Sequence, residues 1–142
     1  MRSLLDVNVL IALFDADHSL HAPALRWLED NARAGWASCP LTQNGCIRVM
    51  SQPRYPNSVP VDAIARRLRE ASAHSRHEFW PDDVSILDEG AIDTTRVHGP
   101  KQLTDVYLLA LAVARGGRLV TFDRSLPLAA VAGAQKKHLV VI

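Results

Sequence analysis

Three aspartates stand at the ends of apolar runs. Asp6 closes Ser3-Leu4-Leu5, Asp105 opens the long apolar stretch that reaches Arg115, and Asp123 closes the run from Arg118 to Phe122. Carboxylates at close range repel one another unless a cation lies between them. If the fold gathers these three, a metal site is the economical reading. Oxygen donors suit Mg²⁺ or Mn²⁺, hard ions that keep several waters for a substrate to displace. Such a site can orient a phosphodiester and deliver a water or hydroxide to phosphorus, sometimes with two ions about 3.5–4 Å apart. Asn8 and Thr121 each lie two residues from an acid and are placed to orient it by hydrogen bonds.

The elements around these residues must bring them together. Leu103 to Arg115 reads as a buried helix, and Gly116-Gly117 separates it from a strand over Arg118–Phe122. About 12 helical residues at about 1.5 Å rise span roughly 18 Å. About five strand residues at about 3.3 Å span roughly 16 Å. The chain thus goes out along a helix and returns along a strand of matching length, so Asp105 and Asp123 share one edge. Asp6 joins them if the sheet is parallel.

The remaining pattern supports that sheet. Strands are expected at Ser3–Leu5, Trp36–Cys39, Glu78–Trp80 and Leu139–Ile142, with helices between them. A mostly apolar helix runs from Val7 to Phe14. A second has Pro23 in its first turn, Leu25 and Leu28 on one face and Gly35 as a stop. Thr42 can cap a third, which carries Ile47, Val49 and Met50 before Pro53 and Pro56 break the chain. Asp62–Ala73 is amphipathic, with Ile64, Ala65, Leu68 and Ala71 inward and Arg66, Arg67 and Arg69 outward. Alternating strands and helices predict an α/β domain over residues 1–142, in three layers, with a mainly parallel sheet of about five strands. Ligands of such folds bind beyond the carboxyl ends of the strands, where Asp6 and Asp123 fall.

Composition narrows the setting. The 142 residues suffice for one substantial core, and a net charge of +1 gives no global attraction to a polyanion. Two cysteines, Cys39 and Cys46, match neither a disulfide framework nor a common zinc spacing, which points to a reducing cytoplasm. No run approaches the roughly 18 apolar residues of a membrane helix, and the N-terminus lacks the pattern of a signal peptide. His74 and His77, like His18 and His21, are expected on the surface.

Taken singly, each acid has an ordinary structural use. Asp105 could serve the N-terminus of its helix, Asp123 could cap the next one, and Asp6 could be a turn residue. Their arrival at one edge favours the metal site.

The residues also resemble a known family. Leu5-Asp6-Val7-Asn8-Val9-Leu10-Ile11 looks like the opening motif of PIN-domain nucleases, Leu103-Thr104-Asp105 through Ala112 like their third acidic motif, and Leu119-Val120-Thr121-Phe122-Asp123 like their fourth. Motif order, spacing and length are similar to those of single-domain toxins of the VapC type. The resemblance implies a Mg²⁺-dependent endoribonuclease, with Asp6, Asp105 and Asp123 as catalytic metal ligands. It also implies a cognate antitoxin protein, a homodimer, and structured RNA substrates such as transfer or ribosomal RNA. The helices at Val7–Phe14 and Asp62–Ala73 are the surfaces expected to meet such partners.

One departure stands out. Family members commonly carry a glutamate early in the helix after the second strand, where this chain reads Pro40-Leu41-Thr42-Gln43-Asn44-Gly45-Cys46-Ile47-Arg48. Asn44 or Thr42 could offer a neutral oxygen instead, and some members carry a similar T-Q-x-x-x-x-R pattern. The gap motivates an alternative: a degenerate PIN domain that binds RNA or a partner protein without cleavage. Arg48 and Arg124 are candidate phosphate contacts by position. An aspartyl phosphatase would want an acid where Asn8 stands, and a phospho-acceptor receiver domain would want an N-terminal acidic pair. No P-loop, G-x-S-x-G or G-x-G-x-x-G occurs.

Overall fold

Adjacent leucines in the first strand face opposite ways, and the whole architecture follows from that alternation. Leu4 packs in one core cluster with Ala37, Leu119 and the buried face of a single helix, Leu103–Ala114. Leu5 packs in a second cluster with Val120 and residues of three other helices. Both faces of the sheet are therefore covered, giving three layers, α/β/α.

The computed structural model describes residues 1–142. In chain order the main elements are β1 (Ser3–Leu5), α1 (Val7–Phe14), α2 (His21–Asp30), β2 (Trp36–Ser38), α3 (Pro40–Met50) and α4 (Val61–Ser72). There follow β3 (His77–Phe79), α5 (Leu103–Ala114), β4 (Arg118–Thr121) and β5 (Leu139–Val141). All neighbouring strands pair in parallel, in the spatial order β3-β2-β1-β4-β5. Every helix and strand read from the sequence is present, with boundaries shifted by a residue or two.

The order of strands decides where the site lies. From β1 the chain moves outward to β2 and β3, then returns through α5 to β4 on the other side of β1. The reversal leaves a crevice beyond the carboxyl ends of β1 and β4. Leu5 and Val120 are in register, so Asp6 and the residues after Thr121 emerge side by side.

One expectation is corrected here. Thr42 does not cap α3: Cys39 holds that position, and Thr42, three residues on, returns a reciprocal bond. The Cys39 N–H donates to Thr42 Oγ1 at 3.0 Å, while the Thr42 hydroxyl donates to the Cys39 carbonyl at 3.1 Å. The inner face of α1 is core, while Val7, Leu13 and Phe14 stay partly exposed. Val9, Leu10, Ile11 and Ala12 are buried, because α1 lies against the sheet with α2 and α3 on either side. By contrast α4 keeps Arg66, Arg67 and Arg69 exposed, as its pattern requires.

Gly45 sets the closeness of α1 and α3. A Cβ added there would come within 2.8 Å of Val7 Cγ2. Alanine is the better helix former by about 0.5–1 kcal/mol, whereas forcing a methyl into a packed contact costs about 1–3 kcal/mol. Gly45→Ala should therefore destabilise the protein, yet stabilise it in a Val7→Ala background. Urea unfolding of the four chains measures this, and the same sign in both backgrounds would refute the contact.

Candidate active site

Asp6 begins α1 at the position that usually caps a helix, but its side chain makes no capping bond. Its Oδ2 instead accepts the Thr121 hydroxyl at 2.9 Å. Thr121, fully buried at the end of β4, also accepts the Asp123 backbone N–H at 3.1 Å. One hydroxyl thus joins the ends of the two central strands. Asp123 turns on itself: its Oδ1 accepts the Ser125 N–H at 2.8 Å and the Ser125 hydroxyl at 2.7 Å. The simple reading of Asp123 as a helix cap fails, since a turn rather than a helix follows it. Asp105 lies in the first turn of α5, partly buried.

The electrostatics place the three acids within reach of one another. Burial pushes the Asp105 carboxyl up to about 7, with the charges of Asp6 and Asp123 adding to it. Burial also raises Asp6, against the opposing Thr121 hydrogen bond. Asp123 is lowered by its bonds from the Ser125 N–H and hydroxyl. No arginine, lysine or histidine forms a salt bridge with any of the three. Negative charge is concentrated here without a protein counter-ion.

Above them opens a cleft of about 290 Å³. Asp6 and Asp105 line it, with Asn8 from α1, Asn44 and Arg48 from α3, and Thr104 beside Asp105. Asn8, Asn44 and Arg48 thus share the cleft with two of the acids. Thr121 lies beneath it as the strut between Asp6 and Asp123. Thr42 is buried and committed to the start of α3, away from the cleft. Arg124 is exposed beside Asp123 and does not line the cleft. Two histidines expected on the surface are tied down: His77 Nε2 shares a 2.8 Å hydrogen bond with the buried Ser38 hydroxyl, and His21 Nδ1 lies 2.7 Å from the Ala12 carbonyl.

The donor set fits a hard divalent cation in kind: carboxylate oxygens, uncompensated and partly desolvated. No three acidic, histidine or cysteine side chains converge closely enough to hold an ion directly, although Asp6 and Asp123 each keep one carboxylate oxygen outside the bonds to Thr121 and Ser125. A hydrated ion suits such a spread set, because Mg²⁺ commonly keeps several of its waters.

Residues 3–133 match the PIN domain. The chain belongs to the PIN-domain family. Its relatives within it include Ribonuclease VapC44 of Mycobacterium tuberculosis, 57% identical over 143 residues and 100% of both chains. Ribonuclease VapC39 of the same organism is 43% identical over 135 residues, 94% of this chain and 96% of that protein. The crystal structure of VapBC2 from Rickettsia felis, bound to a DNA fragment from its promoter, is similar at a TM-score of 0.53 and 15% identity. That match covers 87% of this chain and 89% of the other, and it bears on the fold alone. The matched span runs from β1 past β4, and so includes Asp6, Asp105 and Asp123.

Sequence reasoning missed Ser125, Thr104 and Gln102. The Asp123-Arg124-Ser125 spacing, typical of a side chain bonding the backbone two residues on, would have found the first. Gln102 gives no such signal, because its partner, Ser125, lies 23 residues away.

The Asp105 shift predicts how stability follows pH. In the unfolded chain its carboxyl returns to an ordinary value of 3.8. The folded metal-free protein therefore holds the proton more tightly, and loses stability as pH rises from about 4 to about 7. Asp105→Asn should stabilise the metal-free protein by up to about 4 kcal/mol at pH 8, less where solvent screens the carboxyl, and have little effect near pH 4. Urea unfolding at both values is the check; an equal effect at each would refute the shift.

Proposed function

We propose that this PIN domain is a metal-dependent endoribonuclease and the toxin of a toxin–antitoxin pair. The observation that carries the reading is the gathering of Asp6, Asp105 and Asp123 at one sheet edge, with no basic partner, under a cleft that also holds Arg48. The names of its relatives, ribonucleases of the VapC type, support the reaction class.

Asp6, Asp105 and Asp123 would hold the ion, Mg²⁺ or Mn²⁺ by the hardness of their oxygens. A bound ion of this kind neutralises a phosphodiester and lowers the pKa of attacking water. The chain's own residues do the positioning. Thr121 fixes Asp6 and the backbone of Asp123 with one hydroxyl, so the two acids cannot drift apart. The Arg48 side chain, exposed at the cleft, is free to meet a phosphate of the RNA backbone. Arg124, next to Asp123, would meet one further along. Asn8 and Asn44 offer amides that can hydrogen-bond the ion's waters or the ribose.

Structured RNA, transfer or ribosomal, is the proposed substrate, and a cognate antitoxin and a second copy of the chain the proposed partners. No helix is long and apolar enough to cross a membrane. The non-cleaving alternative draws on one observation: α3 brings Asn44, not an acid, to the cleft.

Cleavage of purified total RNA tests the proposal. Discrete fragments should appear with Mg²⁺ or Mn²⁺ and not with chelator. Asp6→Asn and Asp105→Asn should each lower the rate by at least about 100-fold, beyond what residues that only orient a ligand typically cost. Intact RNA from folded, metal-binding protein would favour the non-cleaving module. If Asn44 stands where relatives carry glutamate, Asn44→Glu should tighten Mg²⁺ binding, and an unchanged titration would count against that placement.

A further inference from the structure

Asp105 and Asp123 sit on different elements and repel one another once both are ionised, so their approach in that state needs support from the surrounding structure. Asp105 is fixed by the rigid start of α5. Asp123 lies on the loop beyond β4, tied on the strand side by its N–H to Thr121. On the far side it is held through Ser125, whose N–H and hydroxyl both reach Asp123 Oδ1. Ser125 is itself exposed and needs an anchor.

That anchor is Gln102, which immediately precedes α5 and stands three residues before Asp105. Its Nε2 donates to the Ser125 carbonyl at 3.1 Å and lies 3.4 Å from the Ser125 hydroxyl. Its Oε1 accepts the His98 N–H at 3.0 Å, which fixes the amide from behind. No backbone hydrogen bond joins the start of α5 to this loop; besides the contact between the Asp105 and Asp123 carboxyls themselves, the amide is a polar tie across the gap. An amide is suited to the task because it donates to one segment and accepts from the other without adding charge. A glutamate would turn an oxygen toward the Ser125 carbonyl and bring a further negative charge toward the acids.

We propose that Gln102 is a positioning residue for the metal-holding acids. It latches the loop after β4 to the start of α5 and keeps Asp123 in reach of Asp105 against their mutual repulsion. This rests on the reading of the three aspartates as the metal-holding set. A continuous chain of hydrogen bonds then runs from Asp6 through Thr121, Asp123 and Ser125 to Gln102, spanning all three acid-bearing elements.

The experiment is calorimetric titration of Mn²⁺ into metal-free wild type, Gln102→Met and Asp123→Asn. Each chain is also melted without metal, and its RNA cleavage is followed over a range of Mn²⁺. Methionine keeps the length of the side chain and removes both hydrogen bonds. Gln102→Met should weaken Mn²⁺ binding about tenfold, as loss of a group that orients a ligand does. Its metal-free melting temperature should stay within about 2 °C of wild type, and saturating Mn²⁺ should restore cleavage. An unchanged Mn²⁺ affinity would overturn the latch while leaving the acid site standing, provided Asp123→Asn still loses binding. A large drop in melting temperature, with activity that excess metal does not restore, would overturn it in favour of a structural role. A wild type that binds no Mn²⁺ would overturn both the latch and the metal reading on which it rests.

Discussion

The site depends on one buried hydroxyl. Thr121 ends β4 next to the end of β1, donating to the Asp6 carboxylate and accepting the Asp123 backbone N–H. Its position is set by register: Leu5 pairs with Val120, so the next residue of each strand meets its neighbour as the strands run out. A carboxylate as buried as Asp6, 3% exposed, needs hydrogen-bond donors to remain in the fold. Valine would fill the same space but leave Asp6 without its donor and Asp123 without its acceptor. The remaining acid chemistry is arranged around this strut.

Concentrating like charge at the end of a parallel sheet works against folding, and the structure offsets it by rigidity elsewhere. Both cores close tightly on the two central strands, with Leu4, Leu5, Leu119 and Val120 at most 1% exposed. Cys39 and Cys46 belong to that packing. Burial pushes their thiols up to about 11 and about 12, so they act as small apolar residues rather than nucleophiles. The strand ends are thus held by forces unrelated to the acids, which allows the acids to remain poorly neutralised. Acids left without a basic partner in a cleft are more characteristic of functional sites than of structural ones.

Much of this was legible in the chain. Asp105 and Asp123 were placed together by a helix and strand of matching length, and Asp6 by its position after a strand of a parallel sheet. Both placements follow from local periodicity and the rise of each element, so a shift of a residue at the ends does not undo them. What depended on distant pairing was not legible. The N–H of Leu41, in the first turn of α3, is satisfied by Asp82, from the loop after β3, and no local rule links residues 41 apart. His77 reads as half of a surface histidine pair, yet its ring lies tilted against Trp36 with centroids 4.4 Å apart and bonds Ser38. Residues 81–100 show little periodicity. They nevertheless contribute the buried Ile92, which bridges in antiparallel fashion to Val131. Tertiary contacts, rather than intrinsic propensity, order that segment.

The sheet's borders carry a consequence of their own. The outermost strands, β3 and β5, are each three residues long, so each border presents only a few unpaired backbone groups. Short borders are one way in which proteins avoid adding a foreign strand. Phe79 and Val141 are exposed there, but side chains without a length of free backbone make a poor template for continued pairing. Such short borders disfavour association by sheet extension. A protein whose clustered carboxylates lie at the strand ends can then be bound along its flanks without its sheet being lengthened or its register disturbed.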